Sequence, residues 1–124
     1  MGAKRGYHQS KWEGVLRWLP AGLCLLCFAA TAQVQITEFL AANSRILADE
    51  DGSFEDWIEI QNTSGTNVNL FDWALTDSKG DLAKWKFPST NLPPAGFIVV
   101  FASNKDRRTP GARLHTNFKL DAAG

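Results

Sequence analysis

The densest group of residues that could do chemistry is acidic and lies between residues 49 and 59. Six carboxylates occur there with no base among them: Asp49, Glu50, Asp51, Glu55, Asp56 and Glu59. Asp49, Asp51 and Glu55 offer the hard oxygen ligands that calcium prefers, and they are the metal candidates of the chain. Their spacing lacks the alternating ligands of an EF-hand loop. A solvated acidic turn with no metal and no cofactor is therefore the main prediction.

A basic cluster follows later in the chain. It comprises Lys105, Arg107, Arg108, Arg113 and Lys119, offset in that region only by Asp106. Two interpretations stay open: the acidic and basic clusters are ordinary solvated loops and strand edges, or they form a polarised surface that orients a partner. In the second case the candidate interaction surface is Trp57, Lys105, Arg107, Arg108 and Arg113.

Nucleic-acid binding is a weaker alternative for the same cations. They could contact phosphates, but residues 33–124 carry nine basic and twelve acidic side chains, which makes this part of the chain mildly acidic. No basic motif interleaved with aromatic residues is present either.

Catalysis within these residues is not predicted. His115 is the only histidine after residue 32, so a histidine-based metal cluster is excluded and a Ser-His-Asp arrangement would depend on that single residue. No nucleophile elbow and no phosphate-binding glycine loop occurs. Asn62-Thr63-Ser64 matches the N-glycosylation acceptor pattern, which arises often by chance. We expect no catalytic residue here.

Three tryptophans could form a carbohydrate-stacking platform if they were coplanar on a surface. Trp73 and Trp85 share strand faces with other apolar residues, so both are expected in the core. Trp57 lies on the face opposite Ile58 and Ile60 and is predicted to be the exposed aromatic residue. Carbohydrate binding therefore stays an alternative to protein binding.

The first 32 residues have the composition of a secretory signal peptide. A basic region is followed by an apolar run, Trp18 to Ala30, that ends in the small-x-small sequence Ala30-Thr31-Ala32. Cleavage before Gln33 would remove Cys24 and Cys27 and leave no cysteine and no membrane span. A retained anchor and a lipoprotein are the alternatives. The predicted location is secreted, extracellular or in the cell envelope.

The elements that must position these residues are β-strands. Alternation with a period of two marks Val34–Phe39, with a break at Glu38 and Phe39, and it is clearest in Asp56–Asn62, where Ile58 and Ile60 should face the core. Further strands are predicted at 71–75, 84–87, 97–102 and 117–120, the fifth of these six buried on both faces. Leu40–Leu47 is the one stretch that could form a helical turn or two. Six short strands separated by turns predict an all-β sandwich with Greek-key connections.

The same segments, in order, resemble the lamin-tail domain in a bacterial exported form. The matching phrases are ITEF at 36–39, ANS at 42–44, DWIEIQN at 56–62, LFDWALTD at 70–77, KWKFP at 84–88, PAGF at 94–97 and LHTNFKL at 114–120. The resemblance covers nearly all of residues 33–124. It implies an immunoglobulin-like β-sandwich that serves as a non-catalytic interaction module.

What this module would serve stays open among three classes. The first is a targeting or interaction module with a protein or cell-surface partner, at the N-terminal end of a larger secreted protein. The second is the accessory head of a secreted hydrolase, nuclease or spore-coat-kinase-like enzyme. The third is an adhesin-like, DNA-binding or carbohydrate-binding domain that acts alone. The heptad rod of nuclear lamins is missing, so their filament function does not carry over. The final residues resemble a turn leading into further strands, and we expect the domain to be incomplete, with open edges and a partly uncovered core.

Overall fold

The computed structural model describes residues 33–122, and within them it is all-β with no helix. Its strands alternate with turns along the chain. They are β1 (Val34–Leu40), β2 (Asp56–Asn62), β3 (Val68–Asn69), β4 (Ala74–Leu75), β5 (Trp85–Lys86), β6 (Asn91–Leu92), β7 (Phe97–Ala102) and β8 (Leu114–His115). The predicted signal peptide lies outside the described residues. Residues 33–122 contain no helix that is long and apolar enough to cross a bilayer.

The main sheet has the order β1-β2-β7-β8. Its first three strands are antiparallel, and β8 runs parallel to β7. Period-two alternation puts Ile58 and Ile60 of β2 on the inner face, where both are buried, as the sequence predicts. This sheet forms one layer of the sandwich.

Two short ribbons, β3 with β6 and β4 with β5, face it. They contribute Val68, Leu75, Trp85 and Leu92 to the core, and Trp85 is fully buried against the edge of Phe87 with ring centroids 4.9 Å apart. The main sheet contributes Ile58, Ile60, Val100, Ala102 and Leu114. The immunoglobulin-like β-sandwich predicted from the sequence is confirmed.

Strand β1 contains a bulge, as the broken alternation predicts. The register with β2 shifts between Ile36 and Glu38, so Thr37 is the extra residue. Its hydroxyl donates to the outward-facing Glu59 at 2.8 Å, which places Thr37 on the outer face beside Glu38. The inward residues of β1 are therefore Val34, Ile36 and Phe39.

The helical turn expected in Leu40–Leu47 is wrong, because Asn43 organises this segment as a series of bends. Its side-chain amide donates to the carbonyls of Leu47 and Glu55 at 2.7 and 2.9 Å, and its carbonyl oxygen accepts from the backbone of Ile46 at 3.0 Å. Asn43 thus fixes a loop that returns the chain to β2.

The continuous strand expected at 71–75 is also wrong. The backbone of Trp73 bonds back to the carbonyl of Leu70 at 2.9 Å, and Asp72 has φ 65°, so a tight turn separates β3 from β4. Phe71 and Trp73 are consequently exposed to 67% and 44%, and only Leu75 is buried. The prediction that Trp73 lies in the core is wrong, while the same prediction for Trp85 is confirmed.

Two further expectations need correction. In β7 the C-terminal half is buried, but Phe97 is 55% exposed, so the strand is not covered on both faces along its whole length. The last strand pairs at Leu114–His115 rather than 117–120, where only an isolated bridge joins Lys119 to Ser103. The alternation of Phe118 and Leu120 did not reveal this earlier parallel pairing.

Asn62, at the end of β2, joins the two layers. Its side-chain amide donates to the carbonyls of Thr66, Leu92 and Pro93 at 2.7, 2.9 and 3.0 Å, and its carbonyl oxygen accepts from the backbone of Ser64 at 2.9 Å. The residue is completely buried. Buried polar groups need such partners, and here they lie in the loop after β2 and at the end of β6 in the other layer.

Candidate functional site

The acidic loop is built around a closed turn at Asp49. One carboxylate oxygen of Asp49 accepts from the backbone N–H groups of Asp51 and Ser53 at 3.0 and 2.9 Å. Gly52 has φ 79° and donates its N–H to the Asp49 carbonyl at 3.1 Å. A residue with a side chain rarely adopts that φ, which explains the glycine within the acidic run. The Asp49 side chain is fully buried.

The basic loop that follows β7 has an irregular backbone that places its cations opposite this turn. Asn104 and Asp106 both have positive φ, 62° and 50°. Asn and Asp tolerate this region better than most residues. Their N–H groups donate to the carbonyls of Phe118 and Thr116, each at 3.1 Å. The intervening Lys105 contacts the acidic loop.

Lys105 lies where the sequence suggested calcium. Its Nζ bonds the carboxylate of Asp49, lies 2.9 Å from that of Asp51 and lies 3.8 Å from that of Glu55. The three candidate calcium ligands therefore do converge, but on an ammonium group of the same chain. The hydrogen bonds to Asp49 and Asp51 raise the pKa of Lys105. Burial alone would raise the pKa of Asp49, but the bonds from Lys105, Ser53 and Asp51 lower it.

Arg107 pairs with the neighbouring carboxylates. Its two terminal nitrogens lie 2.5 Å from Glu50 and 2.7 Å from Asp51. Hydrogen bonds from Arg107 and Lys105 lower the pKa of Asp51 to about 2. Partial burial would raise the pKa of Glu50, but bonds from its own backbone N–H, His115 and Arg107 lower it to about 2. Both carboxylates are thus held ionised.

A Ser-His-Glu hydrogen-bond chain runs beneath this loop, and no sequence pattern indicated it. Nδ1 of His115 lies 2.7 Å from the Ser103 hydroxyl, and Nε2 lies 3.0 Å from both oxygens of Glu50. An ionised carboxylate only accepts, so Nε2 carries a proton, and in the neutral ring Nδ1 accepts from Ser103. The backbone of Lys105 also donates to that hydroxyl at 3.3 Å.

The Ser103-His115-Glu50 arrangement does not form a nucleophilic site. A catalytic serine must reach its substrate, whereas Ser103 is 5% exposed and His115 is not exposed at all. The imidazole is further held by stacking on Phe101, with centroids 5.2 Å apart. The arrangement connects β7, β8 and the acidic loop and has a structural role.

The remaining cations of the basic cluster are also engaged within the molecule. Arg108 bonds Asp106 at 2.6 Å and lies 5.5 Å from the centre of the Trp85 ring. Arg113 donates to the Ala48 carbonyl at 2.7 Å and lies over Phe101, and Lys119 lies 3.4 Å from Glu55. We call the acidic loop with these cations, Ser103 and His115 the charge network. The acidic and basic clusters thus lie against one another, and most of their charges are paired across the two loops.

Trp57 is buried rather than exposed, which corrects the sequence prediction. It is 7% exposed. On the outer face of the main sheet it pairs in register with Leu40 of β1 and Phe101 of β7, and Phe101 pairs with His115 of β8. The Glu50 bond to His115 brings the acidic loop to this end of the outer face, so the central strand is covered on both sides there. With Trp57 and Trp85 buried, a platform of three tryptophans does not form.

The β1 edge of the main sheet is uncovered on its inner face. Ile36 and Phe39 face inward on β1, yet they are 58% and 67% exposed. Ile36 lines a cavity of about 150 Å³ together with Trp73, Leu70 and Phe87 among others, and it shares a second cavity of about 220 Å³ with Phe39, Ile58, Thr76 and Leu120. We call these two cavities and the edge of β1 the β1 groove. No charged residue lines either cavity.

The fold is an immunoglobulin-like β-sandwich in which the acidic and basic loops are paired with one another. Residues 28–124 match the model of the Lamin Tail Domain family, which is more than half of the chain. The chain belongs to the lamin tail domain family, a family of non-enzymatic, immunoglobulin-like interaction domains. No curated protein and no solved structure shows a significant match to it.

Proposed function

We propose that this chain is an exported, non-catalytic module that attaches a partner protein or cell-surface component to the molecule that carries it. The observation that supports this most is the division of its surface. The groups capable of chemistry are bonded to one another in the charge network, while large apolar side chains stay exposed elsewhere. Exposed apolar area of this kind marks binding surfaces.

The turn between β3 and β4 is the part of that surface assigned to the partner. It presents Phe71 and Trp73, 67% and 44% exposed, on a backbone fixed by the Trp73 to Leu70 bond. Aromatic side chains are enriched in the binding energy of interfaces because they bury a large area with few rotatable bonds. A rigid turn presents them at little further entropic cost.

Neither nucleic acid nor carbohydrate is proposed as the partner. Lys105, Arg107 and Lys119 are paired with carboxylates, so phosphate contacts would have to displace existing ion pairs. Stacking on a sugar would rest on Trp73 without the other two tryptophans of the expected platform.

Export is tested by expressing the full chain with its first 32 residues in a secreting host. We expect the protein in the medium or envelope fraction, with Gln33 as its N-terminal residue by sequencing. Intact chain retained in the cytoplasm would contradict the proposal. An intact N-terminus in the membrane fraction would replace a cleaved leader by a retained anchor.

Partner binding is tested with a double variant of the β3–β4 turn. The wild-type chain and F71A/W73A are immobilised and exposed to envelope and secreted proteins of the source cells. We expect specific captured proteins to be lost with the double variant and kept with L82A, whose leucine is 74% exposed elsewhere. Equal capture by all three would contradict the role of the turn.

A further inference from the structure

A further cavity opens on the outer face of the main sheet. It has a volume of about 230 Å³ and is lined by Leu47, Val99, Phe101 and Arg113. Val99 and Phe101 are outward residues of β7, because they pair in register with the outward Glu59 and Trp57 of β2. Leu47 belongs to the loop that Asn43 organises, and Arg113 directly precedes β8. We call this cavity the outer-face cleft.

The main sheet separates the outer-face cleft from the β1 groove. Leu120 shares a cavity with Ile36 and Ile58 on the inner side of the sheet. The outer-face cleft is formed by residues between 47 and 113 on the other side. Its lining therefore does not depend on what covers the β1 groove.

Arg113 is the member of the basic cluster that no carboxylate of residues 33–122 pairs with. Each of the other four forms an ion pair: Lys105, Arg107, Arg108 and Lys119. Arg113 instead donates to the Ala48 carbonyl at 2.7 Å, and its guanidinium lies 5.7 Å from the centre of the Phe101 ring. These contacts hold the guanidinium at the rim of the cleft and leave most of its five N–H donors available. A positioned guanidinium can bind an anion at little further entropic cost.

The outer face on the other side of Val99 is negative. Val99 pairs in register with Glu59, and Glu59 pairs with Glu38, so two carboxylates lie side by side. Within residues 33–122 the partner of Glu59 is the Thr37 hydroxyl, and neither carboxylate forms an ion pair. Like charges in this position repel one another, and they would also repel a second negative charge on a ligand. The cleft therefore favours a single carboxylate over a phosphate, which carries up to two charges.

We propose that the outer-face cleft binds the C-terminal residue of a partner polypeptide whose last side chain is apolar. The terminal carboxylate bonds Arg113, whose planar guanidinium suits a carboxylate, and the side chain packs on Leu47, Val99 and Phe101. One terminal residue carries both groups. A cavity of about 230 Å³ suits a single residue, because pockets for larger organic ligands have about 300 to 1,000 Å³. The proposal is independent of export and of the partner assigned to the β3–β4 turn.

The first test compares peptides by NMR titration of the full chain, expressed with its leader. Acetyl-Lys-Gly-Gly-Phe with a free carboxylate should shift the amide signals of Leu47, Val99 and Phe101 with a Kd of roughly 0.1 to 1 mM, because one side chain and one ion pair are buried. The same peptide with a C-terminal amide should bind at least about 10-fold more weakly, since it lacks the charged acceptor. Acetyl-Glu-Gly-Gly-Phe should also bind more weakly than the lysine peptide, because its glutamate approaches Glu59 and Glu38.

The second test uses variants of the cleft. R113Q should raise the Kd of the lysine peptide by about 10-fold or more. K79Q removes an exposed cation of the opposite layer and should leave the Kd unchanged. V99F fills the apolar part of the cleft while it keeps Arg113, so it should weaken binding as well, and it replaces R113Q if circular dichroism shows that R113Q is unfolded. F71A/W73A should bind the peptide like the wild type, which separates this site from the β3–β4 turn.

Equal binding of the free acid and the amide, or an equal Kd for R113Q and K79Q, would overturn the proposal. So would shifts confined to the β1 groove, or no binding of the lysine peptide at about 10 mM. Octanoate is the control for a free fatty acid. If it bound more tightly than the peptide, a polypeptide C-terminus would not be the ligand.

Discussion

The two edges of the main sheet treat their polar and apolar groups in opposite ways. At the β8 edge, residues of separate loops bond to one another: Lys105 to Asp49, Arg107 to Glu50, His115 to Ser103. At the β1 edge, the inward Ile36 and Phe39 reach a groove that nothing in residues 33–122 covers. The carboxylates and the histidine suggest a site by type but are bonded to one another, whereas the plain apolar strand is exposed.

The difference teaches that composition alone is a poor guide to where a small domain interacts. A charge that is buried and paired contributes to a unique conformation, since removing one partner leaves the other uncompensated. An apolar residue that should be in the core but is exposed has free energy still to gain on binding. Mutations in the charge network should therefore change the stability of the fold, whereas mutations in the β1 groove should change it little.

The largest stability effect is expected at Asp49. D49A removes the buried acceptor of Lys105 and of two backbone N–H groups, and it should lower the free energy of unfolding by about 3 kcal/mol. D49N keeps an acceptor for the backbone groups but loses the charge, so it separates the turn from the ion pair and should cost less. Urea denaturation followed by tryptophan fluorescence measures both. If D49A unfolds at the wild-type midpoint, the network does not stabilise the fold.

Replacing Lys105 should allow a metal cation to bind the carboxylates that its ammonium group now contacts. K105M keeps the apolar stem but leaves the carboxylates of Asp49, Asp51 and Glu55 without their shared partner, at a cost of about 2 kcal/mol. Calcium at millimolar concentration should raise the melting temperature of K105M and leave the wild type unchanged. A calcium response of the wild type would show that the lysine does not exclude the ion.

Acid should reduce the stability that the charge network contributes. The pKa values of Glu50 and Asp51 are lowered to about 2 in the folded protein, against roughly 4 in an unfolded chain. Between these values the unfolded chain binds more protons than the folded protein. The stabilisation contributed by these two carboxylates is therefore complete above about pH 5 and is lost as the pH falls toward 2. Urea midpoints across this range should fall less steeply for E50Q than for the wild type. E38Q, outside the network, serves as the matched control, and an equal slope in all three would contradict this assignment.

The smallest stability effect is expected in the β1 groove. In urea denaturation, I36T should change the free energy of unfolding by less than about 0.5 kcal/mol, as at other exposed positions. A loss as large as that of D49A would show that Ile36 belongs to the core, and it would remove the contrast between the β1 groove and the charge network.

Sequence patterns predicted the fold better than the site, and particular residues show why. The alternation in Asp56–Asn62 reports the face of each side chain, so the burial of Ile58 and Ile60 followed directly. The same alternation cannot tell whether the second face of the strand is covered. Trp57 was predicted to be exposed but is buried, because the acidic loop reaches that part of the outer face. Trp73 was misplaced because a tight turn at Asp72 interrupts the expected strand.

The charge network could not be predicted from local pattern at all. Lys105 and Asp49 are 56 residues apart, and only the folded topology brings their loops together. The acidic and basic runs were visible, but nothing in either run specifies the other as its partner. The positive φ values of Asn104 and Asp106, which shape the basic loop, leave no more trace in the sequence than a preference for these two residue types.

The burial of Asn62 has a consequence for the timing of any modification. Its side-chain nitrogen, the atom that a glycan would occupy, has two N–H donors directed among three carbonyls inside the folded sandwich and has no access to solvent. In a host that glycosylates asparagine, the Asn62-Thr63-Ser64 acceptor would be open only until the two layers close. A sugar on Asn62 would therefore record a chain that folded too slowly, and it would block the closure of that molecule.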